Sequence, residues 1–531
     1  MGIRKLTEVT NSIRRNSKTQ HDKNFGGKVM KRMRKLAAAL LATAMVFSMT
    51  PATFAEGTTY GITAPDNAVH TYEIYQIFTG DLDANGTLSN IKWGQNGTGT
   101  VGEKVEESVL EAIKGATGTD AEKLAIISQY ANLSSTAVGT VTNGSTYNAA
   151  PGYYLIKDKN GSLSDKDEAY TTYIVRVSEA MTITPKTAKP TVDKQVWDEA
   201  GDAETVGENW GESADHAINE SFQFKLKATL SADTDYAAYP KYKVVFNDTM
   251  SEGVTFESIE SVTVDGVTVD ATGYACTAVA GQEGGSWKLT IEDIKSISGV
   301  DIVDGAVIEV IYKAHLNEKA KVNNTSGDTT NQNKVDLQYS NNPNASGNGE
   351  LGKTPEDSVW VFTYEVDNTK VDGSAEGKPA LAGAGFRLYN STGETEIALI
   401  YDDSILAYRP IKAGETGVEM KSADGTGVFN IKGLDAGTYV LKETSTPSGY
   451  NTCDPVTVII SATHAENTEG TGATTTLTNT STMKNTIENK KGSTLPSTGG
   501  MGTTIFYVVG TILVLAAVVL LITKKRMHAD K

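Results

Sequence analysis

The chain has little cysteine, little histidine and a deficit of positive charge, and each shortage excludes a class of protein. Its 2 cysteines among 531 residues cannot build a disulfide framework, and we interpret Cys276 and Cys453 as small apolar side chains rather than as a bridge or reactive thiols. With 48 Lys and Arg against 65 Asp and Glu, the net charge of −17 argues against nucleic acid as a partner. The 6 histidines are scattered and match no metal-binding or nucleophile motif, so we expect no metal, no cofactor and no conventional catalytic centre.

The N-terminal residues carry the pattern of a secretory signal peptide. A basic cluster precedes an apolar run over residues 36–49, and small residues follow at the positions that a signal peptidase reads. The cluster consists of Lys31, Arg32, Arg34 and Lys35. We therefore predict that residues 1–55 are a signal peptide and that the mature protein is secreted.

An uncharged apolar run occupies residues 503–523 near the other end of the chain. About twenty such residues are enough to cross a bilayer as an α-helix, at a rise of about 1.5 Å per residue. Lys524, Lys525 and Arg526 follow at once and would hold that end in the cytoplasm. The pattern predicts a transmembrane helix, with a buried core helix as the weaker alternative.

A pentapeptide directly precedes the apolar run. It consists of Leu495, Pro496, Ser497, Thr498 and Gly499. Pentapeptide, apolar span and basic tail, residues 495–531, together resemble the LPxTG cell-wall sorting signal of Gram-positive bacteria. The resemblance implies that a sortase cysteine attacks the Thr498 carbonyl, releases Gly499 onward and passes the acyl group to an amine. It also implies a protein of the cell wall or fimbrium that is membrane-anchored only before sorting.

Two breaks divide the roughly 440 residues that lie between the signal peptide and the pentapeptide. Residues 184–190 contain two prolines that disfavour helix, and residues 340–354 are rich in Asn, Gly, Ser and Pro. We predict three domains, over residues 56–188, 189–355 and 356–494. The first mixes strands with two helices, over 103–114 and 121–133, whereas the other two show short β-prone runs with regular turns. The expected fold class is mainly β, with tandem immunoglobulin-like β-sandwiches.

Four motifs mark the third domain. They are residues 370–372 (KVD), 381–389 (LAGAGFRLY), 437–444 (GTYVLKET) and 487–489 (IEN). Over residues 365–490 these motifs resemble the collagen-adhesin B-type (CnaB-like) domain. The resemblance implies an isopeptide bond between a Lys of the first strand and an Asn of the last, promoted by a Glu in the middle. It assigns Lys370 as nucleophile, Asn489 as electrophile and Glu443 as catalyst.

The proposed bond requires burial. A lysine is protonated at neutral pH and a carboxamide is inert, but burial lowers the pKa of an amine and raises that of a carboxyl group. A neutral amine and a protonated acid can then coexist, and the acid can move protons as ammonia leaves. A solvated lysine and an edge glutamate, without reaction, are the alternative.

The second domain contains a parallel set of residues. Lys194 lies on its predicted first strand, Asp248 opens a predicted turn over residues 248–253, and Asn333 begins its predicted last strand. This arrangement resembles the A-type (CnaA-like) relative of the same fold, in which Asp replaces Glu. The resemblance implies a Lys194–Asn333 bond with Asp248 as catalyst, and Asn331 is a rival electrophile. Ordinary surface residues are the alternative.

The first domain departs from this scheme. No lysine occurs between Glu56 and Ile91, so its first strand cannot supply a nucleophile. We therefore predict no cross-link of the first-to-last-strand type in this domain.

A further resemblance concerns the joining of subunits. Residues 173–177 (YIVRV), followed by Thr184, Pro185 and Lys186, resemble the pilin motif of sortase-assembled backbone pilins, whose Lys after Pro accepts the Thr of the next subunit. The resemblance assigns Lys186 as the intersubunit acceptor, with Lys189 as the competing acceptor. Residues 439–450, which include Glu443, resemble the E box of pilins.

Together these features make the chain resemble a major pilin of the fimbrial isopeptide-forming class. The resemblance implies a structural shaft subunit that a sortase joins to identical subunits and to peptidoglycan, with tip or basal pilins as further partners. The chain would not be an enzyme beyond forming its own isopeptide bonds. A monomeric wall-anchored adhesin is the main alternative, and a surface enzyme is the lesser one.

Overall fold

A computed structural model describes residues 57–527 apart from short internal gaps. The gaps are 67, 84–85, 118–119, 188, 199–208, 232–235, 237–238, 301, 303–304, 324–330, 344–350, 467–472, 479 and 493–500. The predicted signal peptide and the sorting pentapeptide therefore lie outside the described residues. The described chain divides into two compact units. The first comprises the described parts of Met1–His216, Glu220–Phe362 and His464–Thr474, and the second those of Ala217–Asn219, Thr363–Thr463 and Thr475–Lys531.

The N-terminal part of the first unit is built from two sheets and two helices. Its elements are β1 (Tyr60–Thr63), β2 (Thr71–Leu82), β3 (Leu88–Trp93), α1 (Glu107–Lys114), α2 (Asp120–Ser128), β4 (Gly139–Thr142), β5 (Thr146–Ala149), β6 (Gly152–Asp158), β7 (Thr172–Val177) and β8 (Met181–Thr182). One sheet has the order β5-β1-β8, and the other has the order β3-β2-β6-β7 with β4 also on β2. β2 is apolar on both faces because both are covered: Tyr72 and Ile74 pack in the core between the sheets, and Tyr75 and Ile77 pack in a second core with residues of the helices.

The rest of the first unit is dominated by one large sheet. Its elements are β9 (Thr191–Trp197), β10 (Trp210–Gly211), β11 (Ser213–Asp215), β12 (Ser221–Thr229), β13 (Val244–Val264), β14 (Val267–Thr268), β15 (Ala275–Cys276), β16 (Gln282–Ile291), a 3₁₀ turn (Ile294–Ser296), β17 (Val307–Leu316), β18 (Gln332–Ser340), β19 (Leu351–Lys353) and β20 (Asp357–Phe362). The main order is β10-β9-β12-β17-β13-β18-β20-β11. The long strand β13 pairs with β16 and β18 along its first part and with β17 along its second part. β13 therefore joins the strands β16 and β18 to the strand β17 within one sheet.

The second unit is a two-sheet sandwich. Its elements are β21 (Tyr364–Asp372), β22 (Gly385–Tyr389), β23 (Glu396–Ile397), β24 (Leu399–Asp402), β25 (Ala407–Pro410), β26 (Met420–Lys421), β27 (Ile431–Leu434), β28 (Gly437–Ser445), parts of β29 (Val456–Glu466) and β30 (Ala473–Thr478), a 3₁₀ turn (Thr480–Thr482) and β31 (Lys484–Asn489). One sheet has the order β24-β25-β27-β21-β31, and the other has the order β23-β22-β28-β29-β30 with β26 on β22. In the interior, the rings of Phe386 and Phe429 stack with centroids 4.4 Å apart.

The predicted mainly β fold, with two helices near the N-terminus, is confirmed. The division into three domains stays a prediction. One boundary detail differs from it, because β20, which the prediction assigns to the third domain, pairs with β18 of the large sheet. Residues 359–362 of β20 are all apolar and buried. This burial explains why the segment forms a strand of the large sheet.

The apolar run near the C-terminus forms helix α3 (Met501–Met527). Within the part of the chain that the structure describes, no helix has both the length and the apolar character needed to span a membrane. The transmembrane span at residues 503–523 stays a prediction.

Candidate functional site

Lys370 and Asn489 lie on neighbouring strands of the second unit. β21 and β31 pair in parallel, with Lys370 opposite Ile487 and Asp372 opposite Asn489. Both side chains are buried, and Lys370 Nζ donates to Asn489 Oδ1 at 2.5 Å. The first and last strands of the unit therefore bring an amine into contact with a carboxamide.

Glu443 completes this cluster from the facing sheet. It lies on β28, and its Oε1 accepts a hydrogen bond from Asn489 Nδ2 at 2.6 Å and lies 3.7 Å from Lys370 Nζ. Its Oε2 accepts a hydrogen bond from the backbone N–H of Cys453 at 2.7 Å. One carboxyl group thus reaches both the amine and the amide nitrogen. We call Lys370, Glu443 and Asn489 the C-terminal triad.

The surroundings of the C-terminal triad favour an uncharged amine. Removal from water lowers the pKa of Lys370, and the centroid of the Phe386 ring lies 5.2 Å from its Nζ. The side chains of Lys370 and Glu443 are both fully buried. Because its pKa is lowered, a larger fraction of Lys370 is uncharged at a given pH than of an exposed lysine, and only the uncharged amine is a nucleophile.

A second cluster lies inside the large sheet of the first unit. Four strands contribute one fully buried side chain each: Lys194 from β9, Asp248 from β13, Tyr312 from β17 and Asn333 from β18. Lys194 Nζ contacts Asp248 Oδ2 and lies 3.1 Å from the Tyr312 hydroxyl. That hydroxyl donates to Asp248 Oδ2 at 3.0 Å and accepts from Asn333 Nδ2 at 2.6 Å. We call these four residues the mid-chain cluster.

Alternation along the strands places these polar groups inside. On β9, Lys194 takes the inward position between Val192 and Val196, and on β17 Tyr312 follows Val310 on the inward face. The lysine stem packs with apolar side chains, and the rings of Phe224 and Tyr312 lie with centroids 5.1 and 5.2 Å from Nζ. The amine is therefore held in an aromatic environment.

Burial shifts the pKa values of the two titrating groups in this cluster in opposite directions. Loss of water lowers the pKa of Lys194 and raises that of Asp248, although each group opposes the shift of the other. Asp248 Oδ1 has no hydrogen-bond partner among the described residues, which further disfavours an ionised carboxylate. Burial thus shifts both groups toward their uncharged forms, a neutral amine and a protonated acid.

Two details of the predicted second domain were wrong. Asp248 does not open a turn, because β13 continues through residues 248–253 and changes register between Met250 and Thr255 instead. Asn333 does not begin the last strand, because β19 and β20 follow β18 in the same sheet. The first error arises because polar and glycine residues within a long, irregular strand look like a turn in the sequence. The second arises because the stretch rich in Asn, Gly and Ser after β18 looks like the end of a domain.

The two candidate electrophiles of this cluster differ in their contacts. Asn331 is buried, but its Oδ1 accepts from the backbone N–H of Lys321 at 3.0 Å and its Nδ2 donates to the Lys321 carbonyl at 2.8 Å. Its amide is thus bound to a neighbouring loop. The amide of Asn333 instead contacts Tyr312 within the cluster, so the geometry favours Asn333.

Tyr312 was not identified from the sequence as a member of the mid-chain cluster, nor Cys453 as a neighbour of Glu443. Tyr312 looks like an ordinary core residue, because it occupies one of the alternating apolar positions of β17. Cys453 was interpreted only as an apolar side chain, yet its backbone binds Glu443 of the C-terminal triad. The role of Tyr312 has no signal in spacing or composition, since it depends on strands that are distant in sequence. Cys453 lies only 10 residues from Glu443, but its contact is made by the backbone N–H, which most residue types could supply.

The segment between β8 and β9 carries both acceptor candidates. Lys189 Nζ forms an ion pair with Asp167 Oδ2 at 3.0 Å. The backbone N–H of Lys186 donates to the hydroxyl of Thr171 at 3.0 Å. The backbone of Lys186 is therefore anchored, and the amine of Lys189 is held by the carboxylate of Asp167.

Two parts of the chain match known protein families. Residues 365–491 match the SpaA prealbumin-like fold domain, and residues 487–528 match the LPXTG cell wall anchor motif. The matches coincide with the predicted CnaB-like domain and sorting signal. The predicted resemblance to sortase-assembled backbone pilins and the predicted cell-wall localisation are confirmed.

One curated relative and several solved structures are similar to the chain. The trypsin-resistant surface T6 protein of Streptococcus pyogenes serotype M6 is 25% identical over 328 residues, which is 58% of this chain. The chain spans about half, 52%, of that relative's length. The T6 backbone pilin of serotype M6 Streptococcus pyogenes has 18% identity and a TM-score of 0.48, covering 83% of this chain and 100% of that one. The full-length major pilin SpaD from Corynebacterium diphtheriae has 16% identity and a TM-score of 0.45, covering 83% and 99%.

The thiol of Cys453 is expected to react slowly in the folded protein. Burial raises its pKa to about 11, so its thiolate forms only as the pH approaches that value. At pH 8, alkylation by iodoacetamide should be more than about 100-fold slower than in the denatured chain, because only the thiolate reacts. Peptide mass spectrometry of the folded and the denatured protein measures both rates. Equal rates at pH 8 would show that the pKa of the thiol is not raised in the folded protein.

Proposed function

We propose that this chain is the structural shaft subunit of a covalently polymerised surface pilus. Sortase joins Thr498 of one subunit to a lysine of the next, and Lys–Asn isopeptide bonds within the domains stiffen each subunit. The observation that carries this proposal is the C-terminal triad, in which a buried amine, a carboxamide and an acid meet across the first and last strands of the second unit. The match to the cell wall anchor motif directly after this domain supports it.

The contacts of the C-terminal triad fit an amide exchange. The neutral amine of Lys370 attacks Cγ of Asn489, and a C–N bond forms as the bond from Cγ to Nδ2 breaks. Glu443 Oε1, at 2.6 Å from Nδ2 and 3.7 Å from Nζ, can move the amine's proton to the leaving nitrogen. Ammonia departs, and its loss to solvent makes the reaction irreversible.

The position of this bond suits a subunit under tension. β21 and β31 are the terminal strands of the unit, and their parallel pairing means that a pull on both ends shears their hydrogen bonds together. The cross-linked residues are 119 positions apart. By analogy with a disulfide that closes a loop of this length, the bond would stabilise the fold by about 5 kcal/mol.

The mid-chain cluster would form the corresponding bond in the first unit. Lys194 is the nucleophile, Asn333 the electrophile and Asp248 the acid, as their burial and their shared contacts with Tyr312 suggest. Asn331 is the less suitable electrophile because its amide binds the backbone of Lys321.

Lys186 is the acceptor that we assign for the intersubunit bond. Its backbone N–H is anchored to Thr171, and the preceding Pro185 restricts the segment, so its backbone is held in a defined position. Lys189 is the competing acceptor, and its amine forms an ion pair with Asp167. The further partners that we propose are peptidoglycan and tip or basal pilins.

The purified ectodomain, residues 57–492, should weigh less than its sequence requires. Each isopeptide bond releases one ammonia, roughly 17 Da, so two bonds should lower the intact mass by roughly 34 Da. Asn489→Ala and Asn333→Ala should each restore half of this deficit, after correction for the substitution. High-resolution mass spectrometry of the intact protein makes the measurement.

Asn331→Gly is the matched control for this experiment. Glycine accepts the positive φ of 58° at this position, so the variant removes the rival amide without backbone strain. The full deficit should persist in this variant. A deficit that falls by half in Asn331→Gly but stays complete in Asn333→Ala would assign the bond to Asn331, and an unmodified parent mass would refute both bonds.

Cell-wall extracts of the producing bacterium should contain a ladder of polymers that resists boiling in SDS. Lys186→Ala should collapse the ladder to single subunits because it removes the acceptor amine, whereas Lys189→Ala should retain it. Immunoblots with antibody against the ectodomain make the comparison. Loss of the ladder only in Lys189→Ala would reassign the acceptor, and a single band in the unmutated strain would favour the solitary adhesin.

A further inference from the structure

The two clusters deliver their acid to the amide in different ways. In the C-terminal triad, Glu443 Oε1 binds the amide nitrogen of Asn489 directly. In the mid-chain cluster, no direct hydrogen bond joins Asp248 to Asn333 among the described contacts, and the Tyr312 hydroxyl stands between them. The mid-chain cluster therefore contains one additional group, the Tyr312 hydroxyl, which directly contacts the atoms that would react.

The Tyr312 hydroxyl is placed to touch every reacting group of the mid-chain cluster. It lies 3.1 Å from the attacking nitrogen of Lys194, 3.0 Å from Asp248 Oδ2 and 2.6 Å from Nδ2 of Asn333, which is the nitrogen that must leave. A hydroxyl can donate one proton and accept another at the same time. Before reaction it donates to Asp248 and accepts from Nδ2. Once the attack of Nζ on Cγ makes Nδ2 basic, reversal of both hydrogen bonds passes a proton from the acid to that nitrogen.

We propose that Tyr312 is a catalytic residue that relays the proton of Asp248 to the departing nitrogen of Asn333. The proposal rests on the isopeptide reaction proposed above for Lys194 and Asn333. It assigns a role that the C-terminal triad does not need, because the carboxyl group of Glu443 is already in contact with the leaving nitrogen.

The protons of this step balance. Nζ of Lys194 forms a bond to Cγ of Asn333 while the bond from Cγ to Nδ2 breaks. Tyr312 gives its hydroxyl proton to Nδ2 and takes the proton of Asp248, and the resulting carboxylate takes the proton that Nζ loses. The products are an amide and ammonia, Tyr312 and Asp248 end as they began, and no oxidant or reductant takes part.

The packing around Tyr312 supports a relay through the hydroxyl. Its ring meets Trp287 edge to face with centroids 5.0 Å apart and lies 5.2 Å from the ring of Phe224, which fixes the direction of the hydroxyl. Burial raises the pKa of Tyr312 well above its usual value, so the phenol keeps its proton until it can exchange one for another. A phenylalanine would fill the same space without the proton.

Tyr312→Phe tests the relay, with the C-terminal triad of the same molecule as internal control. Because general acid–base groups contribute about 10²- to 10⁴-fold, the Lys194–Asn333 bond should form at least about 100-fold more slowly. Freshly made Tyr312→Phe ectodomain should therefore lack only one ammonia, and peptide mapping should place that loss at Lys370 and Asn489. A second loss as fast as in the parent protein would overturn the relay.

Tyr339→Phe is the matched control variant. Tyr339 is also a buried tyrosine of the large sheet, and its hydroxyl has no hydrogen-bond partner among the described residues. It should retain the parent rate, and an equal slowing in both variants would overturn the relay. A parent protein without any ammonia loss would instead refute the underlying isopeptide proposal.

A fluorinated tyrosine at position 312 separates chemistry from packing if Tyr312→Phe folds poorly. Fluorination makes the phenol more acidic but hardly changes its shape. A relay predicts that the rate of ammonia loss at Lys194 and Asn333 changes, with a shifted pH profile, whereas a packing role predicts the parent rate and profile.

Discussion

The structure depends on the removal of a lysine amine from water and its placement against a carboxamide. A buried ammonium ion costs several kcal/mol of stability, and burial therefore drives the lysine toward its neutral form. The lowered pKa of Lys194 and of Lys370 and the raised pKa of Asp248 are expressions of this one effect. An amide bond would replace the buried amine with a neutral group, so the proposed reaction removes the electrostatic penalty that makes it possible.

Much of this arrangement could be predicted from the sequence, because terminal strands carry recognisable motifs. The resemblance to CnaB-like domains identified Lys370, Glu443 and Asn489, and the structure brings all three side chains together. The mainly β fold followed from alternating apolar residues. Tyr312 could not be found in this way, because an inward tyrosine on an alternating strand looks like any core residue until the neighbouring strands are in place.

The mid-chain cluster was harder to predict because it depends on an irregular strand. β13 runs for 21 residues through a change of register, and its polar stretch around residues 248–253 resembles a turn. The bend nevertheless allows β9, β13, β17 and β18 to direct one polar side chain each toward the same interior point. Long-range strand pairing, which leaves no local trace in the sequence, determines this convergence.

The proposed cross-link of the second unit lies between its terminal strands, where it would carry any load along the chain. Stretching single ectodomains by their two ends tests this directly. A covalent tie predicts that residues between Lys370 and Asn489 never extend, so that no unfolding step from this segment appears before the tether breaks. A step of about 400 Å, the length expected from 119 residues at about 3.4 Å each, would contradict the account.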